Sequence, residues 1–471
     1  MKNSKINYLR NTFIIAMLLL VNVNCERDLS DEATNASFSK TATVFTDDFV
    51  AMGTDFYFPY GDSKFTAFSV DRTQGYQSSA SIRLDVPNND DTEGTYAGGI
   101  FRIDGAGRNL TGYDALTFYV KASQGVTVAE FGFGEDFFPN KYITTLRNVS
   151  VATNWQKVII PITDASKLVN ERGMFRYAAG TQSTNGRAFT LWIDEIKFEK
   201  LGTIAHGQVS IMNGNNVSVT TFAGVNSKVD GVIATFNMPN GNNQSISISP
   251  AYLEFSSSNP AVASVDATGL VTSLSAGTAT ITATFNGAPT TGRLTINCAG
   301  TFVPAPLPTL NPANVISIFS NAYTNVPVNY YNGYWAPWQT TVSNDFSVNG
   351  DNVLNYTIFN FVGIEFSNPT VNATAMTHIH LDVFIPGPIA PGRQLRVLVV
   401  DFGANGVFGG GDDTRHSTTF TAPFLASQTW KSIEIPFSAM PGLLSRSNVA
   451  QIILEGGDGS VIYVDNIYFH N

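Results

Sequence analysis

Tyr113-Asp-Ala-Leu-Thr-Phe-Tyr-Val-Lys121 and Met376-Thr-His-Ile-His-Leu-Asp-Val-Phe384 decide the fold. Both alternate apolar and polar residues at the two-residue period of a half-buried strand. Leu116, Phe118 and Val120 form the inward set of one, and Ile379, Leu381 and Val383 that of the other. Each stretch is followed by the same two signatures. Trp155-Gln-Lys-Val-Ile-Ile-Pro161 is answered by Trp430-Lys-Ser-Ile-Glu-Ile-Pro436, and Leu191-Trp-Ile-Asp-Glu-Ile-Lys-Phe198 by Ile462-Tyr-Val-Asp-Asn-Ile-Tyr-Phe469. One order of elements, met twice, predicts an internal repeat with copies at 43–201 and 309–471. Short strands joined by Gly, Asn and Asp turns predict a two-sheet sandwich of jelly-roll type for each copy.

Composition agrees with an all-β fold. A chain of 471 residues is too long for one core, and Gly 40, Pro 21, Phe 34 and Tyr 17 with only 14% charged residues favour strands and turns over helices. The net charge of −10, with no basic stripe to displace counterions from phosphates, excludes a nucleic-acid footprint and fits an uncharged ligand better.

The N-terminus reads as an address. Lys2, Lys5 and Arg10 precede an apolar run from Phe13 to Val21, which is too short to span a bilayer and stops at Cys25. This resembles a bacterial lipoprotein signal, with Asn22 and Asn24 departing from the usual pattern. The resemblance implies a signal peptide over 1–25, a lipidated Cys25 and a flexible tether over 26–42. The acidic start of that tether is similar to the surface-export signal of Bacteroidetes lipoproteins, which implies a lipid-anchored protein on the outer face of the outer membrane. Cys298 then has no partner, so a disulfide framework is excluded and the residue reads as a small buried group at a strand end.

Between the copies, Ser257-Ser-Asn-Pro-Ala-Val-Ala-Ser-Val-Asp-Ala-Thr-Gly-Leu-Val-Thr272 and Ala276-Gly-Thr-Ala-Thr-Ile-Thr-Ala283 resemble the bacterial immunoglobulin-like domain of the second group, implying such a domain over 204–299. Asn259-Pro260 and Thr268-Gly269 supply turns, and Val262, Val265, Leu270, Ile281 and Ala283 the expected inward face. Such domains usually act as spacers. The segment 300–308, with its run Val303-Pro-Ala-Pro-Leu-Pro308, predicts a stiff linker that holds the last domain away from the spacer.

The Trp-to-Pro strand and the closing strand with its central aspartate make both outer copies similar to carbohydrate-binding modules of the β-jelly-roll type. The last copy, with its loop Asp401-Phe-Gly-Ala-Asn-Gly-Val-Phe-Gly-Gly-Gly-Asp-Asp413, is similar to modules appended to bacteroidetal β-glucanases and to surface glycan-binding proteins. The resemblance implies polysaccharide as the partner, laminarin or another β-glucan first, presented to a TonB-dependent transporter system within a polysaccharide-utilisation machinery. It also implies a structural calcium, held by Asp47 or Asp48 with Asp194 in the first copy and by Asp465 with an unidentified partner in the last. Two or three oxygens per site fall short of the six or more such a cation takes.

A neutral glycan asks for ring faces to stack on and a few amides or carboxylates for its hydroxyls. Asn329-Tyr-Tyr-Asn-Gly-Tyr-Trp-Ala-Pro-Trp-Gln339 concentrates aromatics in a Gly/Pro-broken stretch, making Trp335 and Trp338, then Tyr331 and Tyr334, the candidates for stacking. Plugging the end of the sandwich explains the two tryptophans equally well. His378, His380 and Asp382 share one strand face and either line a binding surface or form a solvated polar face. A zinc site there lacks a third ligand beyond the distant His416. In the first copy Tyr57, Tyr60, Phe137 and Phe138 are candidate platforms, whereas Trp155, Trp192 and Trp430 fall within strand patterns and read as core.

Catalytic signatures are missing from the sequence: there is no nucleophile elbow, no His-Glu-x-x-His, no phosphate loop and no paired-carboxylate strand. Asp194-Glu195 and Glu199 only superficially suggest a glycosidase pair. The expectation is therefore a non-catalytic surface glycan binder. A protein-binding adhesin and an accessory part of a glycoside hydrolase system remain as alternatives.

Overall fold

The computed structural model describes residues 38–471 apart from 138–139, 206, 345–346 and 349–350. Cys25, residues 26–37 of the tether and Phe138 lie outside the described residues. The described chain is all-β, with two β-sandwiches flanking an immunoglobulin-like one.

The two outer sandwiches are wired alike. In the first, strand Phe189–Glu199 runs between Ser81–Val86 and Ala115–Ala122, with Gln156–Pro161 beyond the latter and Thr43–Phe45 pairing the central strand. In the last, Ile462–His470 runs between Leu354–Thr357 and His378–Phe384, with Trp430–Pro436 beyond and Val315–Phe319 pairing the central strand. The facing sheet of the first follows the order Thr144–Val151, Val126–Phe133, Gly173–Ala179, Ala97–Arg102, Tyr57–Pro59. That of the last follows Thr414–Thr421, Gln394–Asp401, Val449–Glu455, Phe361–Glu365, and a single Tyr330–Glu365 bridge replaces the fifth strand. The repeat read from three sequence signatures is thus a repeat of topology.

The period-two sets fill the space between the sheets. Leu116, Phe118, Val120, Ile379, Leu381 and Val383 are all buried, each side chain contributing about 1.5–3 kcal/mol of transfer free energy before entropy is counted. Both central strands bulge just after their aspartate. Glu195 and Asn466 each take a left-handed φ of 51°, and each donates its N–H over 2.7 Å to the Oδ1 of the preceding aspartate.

The immunoglobulin-like domain is joined to both neighbours, which corrects the picture of a spacer with a stand-off linker. On one side its strands Gln208–Ser210, Ile233–Asn237 and Asn243–Ile248 continue the facing sheet of the first sandwich into eight strands, with Ser247 opposite Thr145 and Ile248 opposite Thr144. Gln244 Nε2 donates to the Ile159 carbonyl at 2.7 Å and the Tyr252 hydroxyl to the Tyr142 carbonyl at 3.1 Å. On the other side Phe222 and Phe302 form a buried cluster with Val353, Phe384 and Tyr463 of the last sandwich. The linker lies along that sandwich, because a proline-rich backbone offers carbonyls that no strand has claimed. Trp430 Nε1 donates to the Val303 carbonyl at 2.6 Å, and Asn466 Nδ2 to that of Pro306 at 3.1 Å.

Two further expectations change. Leu270, expected inward, is 38% exposed, while Val262, Ile281 and Ala283 are buried as expected. Trp155, Trp192 and Trp430 are half-buried rather than core, because Trp192 and Trp430 hold strand positions that face away from the inter-sheet space and Trp155 comes just before its strand.

Candidate functional site

The four-stranded sheet of the last sandwich turns Val362, Ile364, Val397, Val399, Ile452 and Leu454 inward and presents the alternate residues outward. Register lays these out in rows. Glu365, Gln451, Val400 and Arg415 stand opposite one another across the four strands, and Gly363, Ile453, Leu398 and Ser417 form the next row. The segment 329–339 folds over the Glu365 edge of this face and the loop 401–413 over the Arg415 edge, leaving a groove of about 630 Å³. That lies within the usual range for small-ligand sites.

Trp335 lies against the floor of this groove. Gly363 makes this possible: a Cβ there would stand 2.3 Å from the indole Cη2, so any other residue would lift the ring off the sheet. Gly333 meets the other end of the indole, where a Cβ would approach Nε1 to 2.3 Å. The ring is oriented by a chain of polar contacts. Trp335 Nε1 donates to the Tyr330 hydroxyl at 3.3 Å, and that hydroxyl donates to Glu365 Oε2 at 2.7 Å. Gln451 Nε2 also donates to Oε2 at 2.8 Å, and the Ser367 hydroxyl to Oε1 at 2.7 Å. Burial opposes ionisation of Glu365, yet these three donors hold its carboxyl below the usual range. Burial, then the Glu365 contact, pushes the Tyr330 phenol up to about 12, so it stays protonated as a donor.

The opposite wall carries Phe408, which is 70% exposed, with Asp413 and Arg415. Among the described residues the Arg415 guanidinium has no ion-pair or hydrogen-bond partner, and Asp413 Oδ1 has none either. The loop is held by turn bonds, with Asp412 Oδ2 accepting from the Ala404 and Asn405 N–H groups. An aromatic floor, an ionised acceptor, a neutral amide and a free guanidinium suit a ligand that presents flat apolar faces edged by hydroxyls.

The sequence candidates separate as follows. Trp335 enters the groove, and Trp338 and Tyr334 stand exposed on the segment that folds over it, 74% and 56% open to solvent. Tyr331 turns inward instead, its hydroxyl on the Ile318 carbonyl at 3.0 Å and its ring against Phe319. His380 and Asp382 are buried on the other sheet and line no surface, a correction that follows from the cover given by Asn466, Tyr468 and Glu434. His378 stacks on His470 at 5.1 Å. Tyr57 packs into the core of the first sandwich with its hydroxyl 2.9 Å from that of Tyr177. Tyr60 is tied to Glu135 at 2.6 Å and to Arg176 at 3.1 Å. The matching sheet face of the first sandwich is thus filled by ion pairs, Arg176 with Glu130 and Glu135 and Arg102 with Asp136, on which Phe137 rests. Sequence reading missed Glu365, Gln451 and Arg415, whose only signal is their outward position on strands that pair far from one another in the chain.

The aspartates considered for calcium meet hydrogen-bond donors. Asp194 Oδ2 accepts from the Tyr76 N–H at 2.6 Å and the Ser78 hydroxyl at 3.0 Å, and Asp47 Oδ1 from the Ser79 and Ala80 N–H groups. Asp48 pairs with Arg72 at the surface. Asp465 Oδ1 takes the Asn466 N–H, and burial pushes its carboxyl up to about 7. Among the described residues no three His, Cys, Asp or Glu side chains form a metal cage.

Residues 41–200 match the family model of carbohydrate binding domain 30. That match spans the first sandwich, which is therefore similar to a carbohydrate-binding module. Residues 244–292 match the bacterial Ig-like domain of group 2. Among solved structures, a family 30 carbohydrate-binding module is 19% identical, covering 34% of this chain and 97% of its own, with a TM-score of 0.26. The family 11 module of Clostridium thermocellum, in complex with a β-1,3-1,4-mixed-linked tetrasaccharide, is 20% identical over 34% of this chain and 96% of its own, TM-score 0.25. The CBM22 tandem of Paenibacillus barcinonensis Xyn10C is 11% identical over 93% of this chain and 99% of its own, TM-score 0.21. No curated protein matches the chain. The module match falls on the first sandwich, whereas the open aromatic groove belongs to the last.

Proposed function

We propose that this chain captures a neutral polysaccharide of the β-glucan type, without chemistry of its own, through the groove on the four-stranded sheet of the last sandwich. The observation that carries the reading is the Trp335 indole laid against Gly363 and oriented through Tyr330 onto Glu365. A ring held in one orientation loses little entropy when a sugar stacks on it. Glu365 is held ionised by three donors, which suits it to accept a sugar hydroxyl and makes it a poor proton donor. In this reading Cys25 carries lipid, the protein faces outward from the outer membrane, and captured polymer passes to a TonB-dependent transporter. The lipoprotein-like N-terminal sequence supports that placement.

Affinity electrophoresis and calorimetry of the purified chain against laminarin, mixed-linkage β-glucan, xylan and mannan test the reading. Retention by a β-glucan, weakened on the order of tenfold by Trp335→Ala and less by Trp338→Ala, is the expected result. Flat titrations across the panel, or release of reducing sugar by the unmodified chain, contradict it.

A further inference from the structure

The repeat puts a row of side chains on the outer face of each six-stranded sheet, and the two copies treat it differently. In the last sandwich Trp430 stands opposite Phe384, and Phe384 opposite Tyr463. Phe222 of the immunoglobulin-like domain and Phe302 of the linker close over these three. In the first sandwich the same places hold Trp155, Lys121 and Trp192, with Arg83 opposite Trp192 on the next strand. Asp194 lies opposite Tyr119 as Asp465 lies opposite Asp382, which fixes the correspondence.

The row of the first sandwich is built and only partly covered. Tyr76 stacks on Tyr119 at 3.5 Å and 11°, and Trp155 meets Tyr76 edge-on at 6.0 Å. Asp194 and Asp47 hold the turn that carries Tyr76 there, through the contacts given above. The Lys121 ammonium sits 5.2 Å from the Trp155 ring and 5.0 Å from the Trp192 ring and donates to Gln74 Oε1 at 2.6 Å. Trp192 Nε1 donates to Asp71 at 2.9 Å. All four rings stay partly open to solvent.

We propose that this face is a second glycan site, where Trp155 and Trp192 stack sugar rings and Lys121, Gln74 and Arg83 bond their hydroxyls. A phenylalanine plug of the kind that closes the last sandwich would strip water from the Lys121 ammonium with nothing in return, whereas a sugar brings hydroxyls to it. The two indoles are two strand spacings apart, about 10 Å, close to the length of a disaccharide. The site rests on the polysaccharide reading above for its ligand class and is independent of the groove for its residues.

Hydrogen–deuterium exchange of the unmodified protein, with and without saturating mixed-linkage β-glucan, is the deciding experiment, paired with retention of Trp335→Ala and of the triple variant Trp335→Ala, Trp155→Ala, Trp192→Ala. Protection of 74–78 and 155–157, together with about a tenfold further loss of retention in the triple variant, supports the second site. Protection confined to the last sandwich, or equal retention of the single and triple variants, overturns it while leaving the groove intact. A protein that this glucan neither retains nor protects overturns the ligand class on which both readings rest. Because the exchange measurement uses the unmodified chain, a folding defect in the triple variant does not blur the result.

Discussion

The Tyr330 hydroxyl donates to Glu365 while accepting the indole N–H of Trp335, so a single phenol fixes both the carboxylate and the indole of the groove. Tyr330→Phe keeps the ring volume and removes both contacts. The expected outcome is three- to tenfold weaker glucan binding, with a stability loss of about 1 kcal/mol in thermal melting.

Gly363→Ala tests the floor without touching a polar group. Its methyl would stand 2.3 Å from Cη2 and 2.5 Å from Cζ2 of Trp335, so the indole must lift. Binding should fall on the order of tenfold while the melting temperature moves by only a few degrees, as calorimetry on both counts would show. Unchanged affinity would place the stacking ring elsewhere.

Phe222→Ala removes a plug residue from the cluster formed with Phe384 and Tyr463. A loss of about 3 kcal/mol at that contact is expected, on the scale of buried phenylalanine truncations. The predicted readouts are faster proteolysis between residues 303 and 308 and a larger radius of gyration in X-ray scattering, with glucan affinity per groove unchanged.

Asp465, Glu171 and His380 each contribute stability that declines as pH rises between about 4 and about 9. Burial pushes the Asp465 and Glu171 carboxyls up to about 7, so between about 4 and 7 the folded chain holds protons that the unfolded chain has released. Against the pull of burial, hydrogen bonds to Asp382 and Glu434 raise His380 to about 9, and the stability this brings is lost as pH climbs from 6.5 through about 9. Melting curves across that range check the slope. Asp465→Asn, which keeps the acceptor for the Asn466 N–H, should flatten its acidic half.

The sandwiches were legible because an alternating strand writes its inward face directly into the sequence: Leu116, Phe118 and Val120 needed no partner to be identified. Trp335 was legible because a tryptophan in a Gly/Pro-broken segment has few strand positions to fill. Glu365, Gln451 and Arg415 were not, since their meeting depends on register among strands dozens of residues apart. His378, His380 and Asp382 show the converse. They do share a face, but period-two spacing says nothing about what lies over it, and Tyr468 with Glu434 covers His380. The linker misled because proline content reports stiffness and leaves unsaid where a stiff segment lies down.

The eight-stranded sheet that runs from the first sandwich into the immunoglobulin-like domain has a mechanical consequence. Backbone ladders resist shear collectively, so tension applied to the last sandwich would pass through Phe222 and Phe302 into a ladder. Where the described residues of its three parts meet, a sheet ladder joins one pair and an aromatic cluster the other, so a tug at one end would be shared with its neighbour.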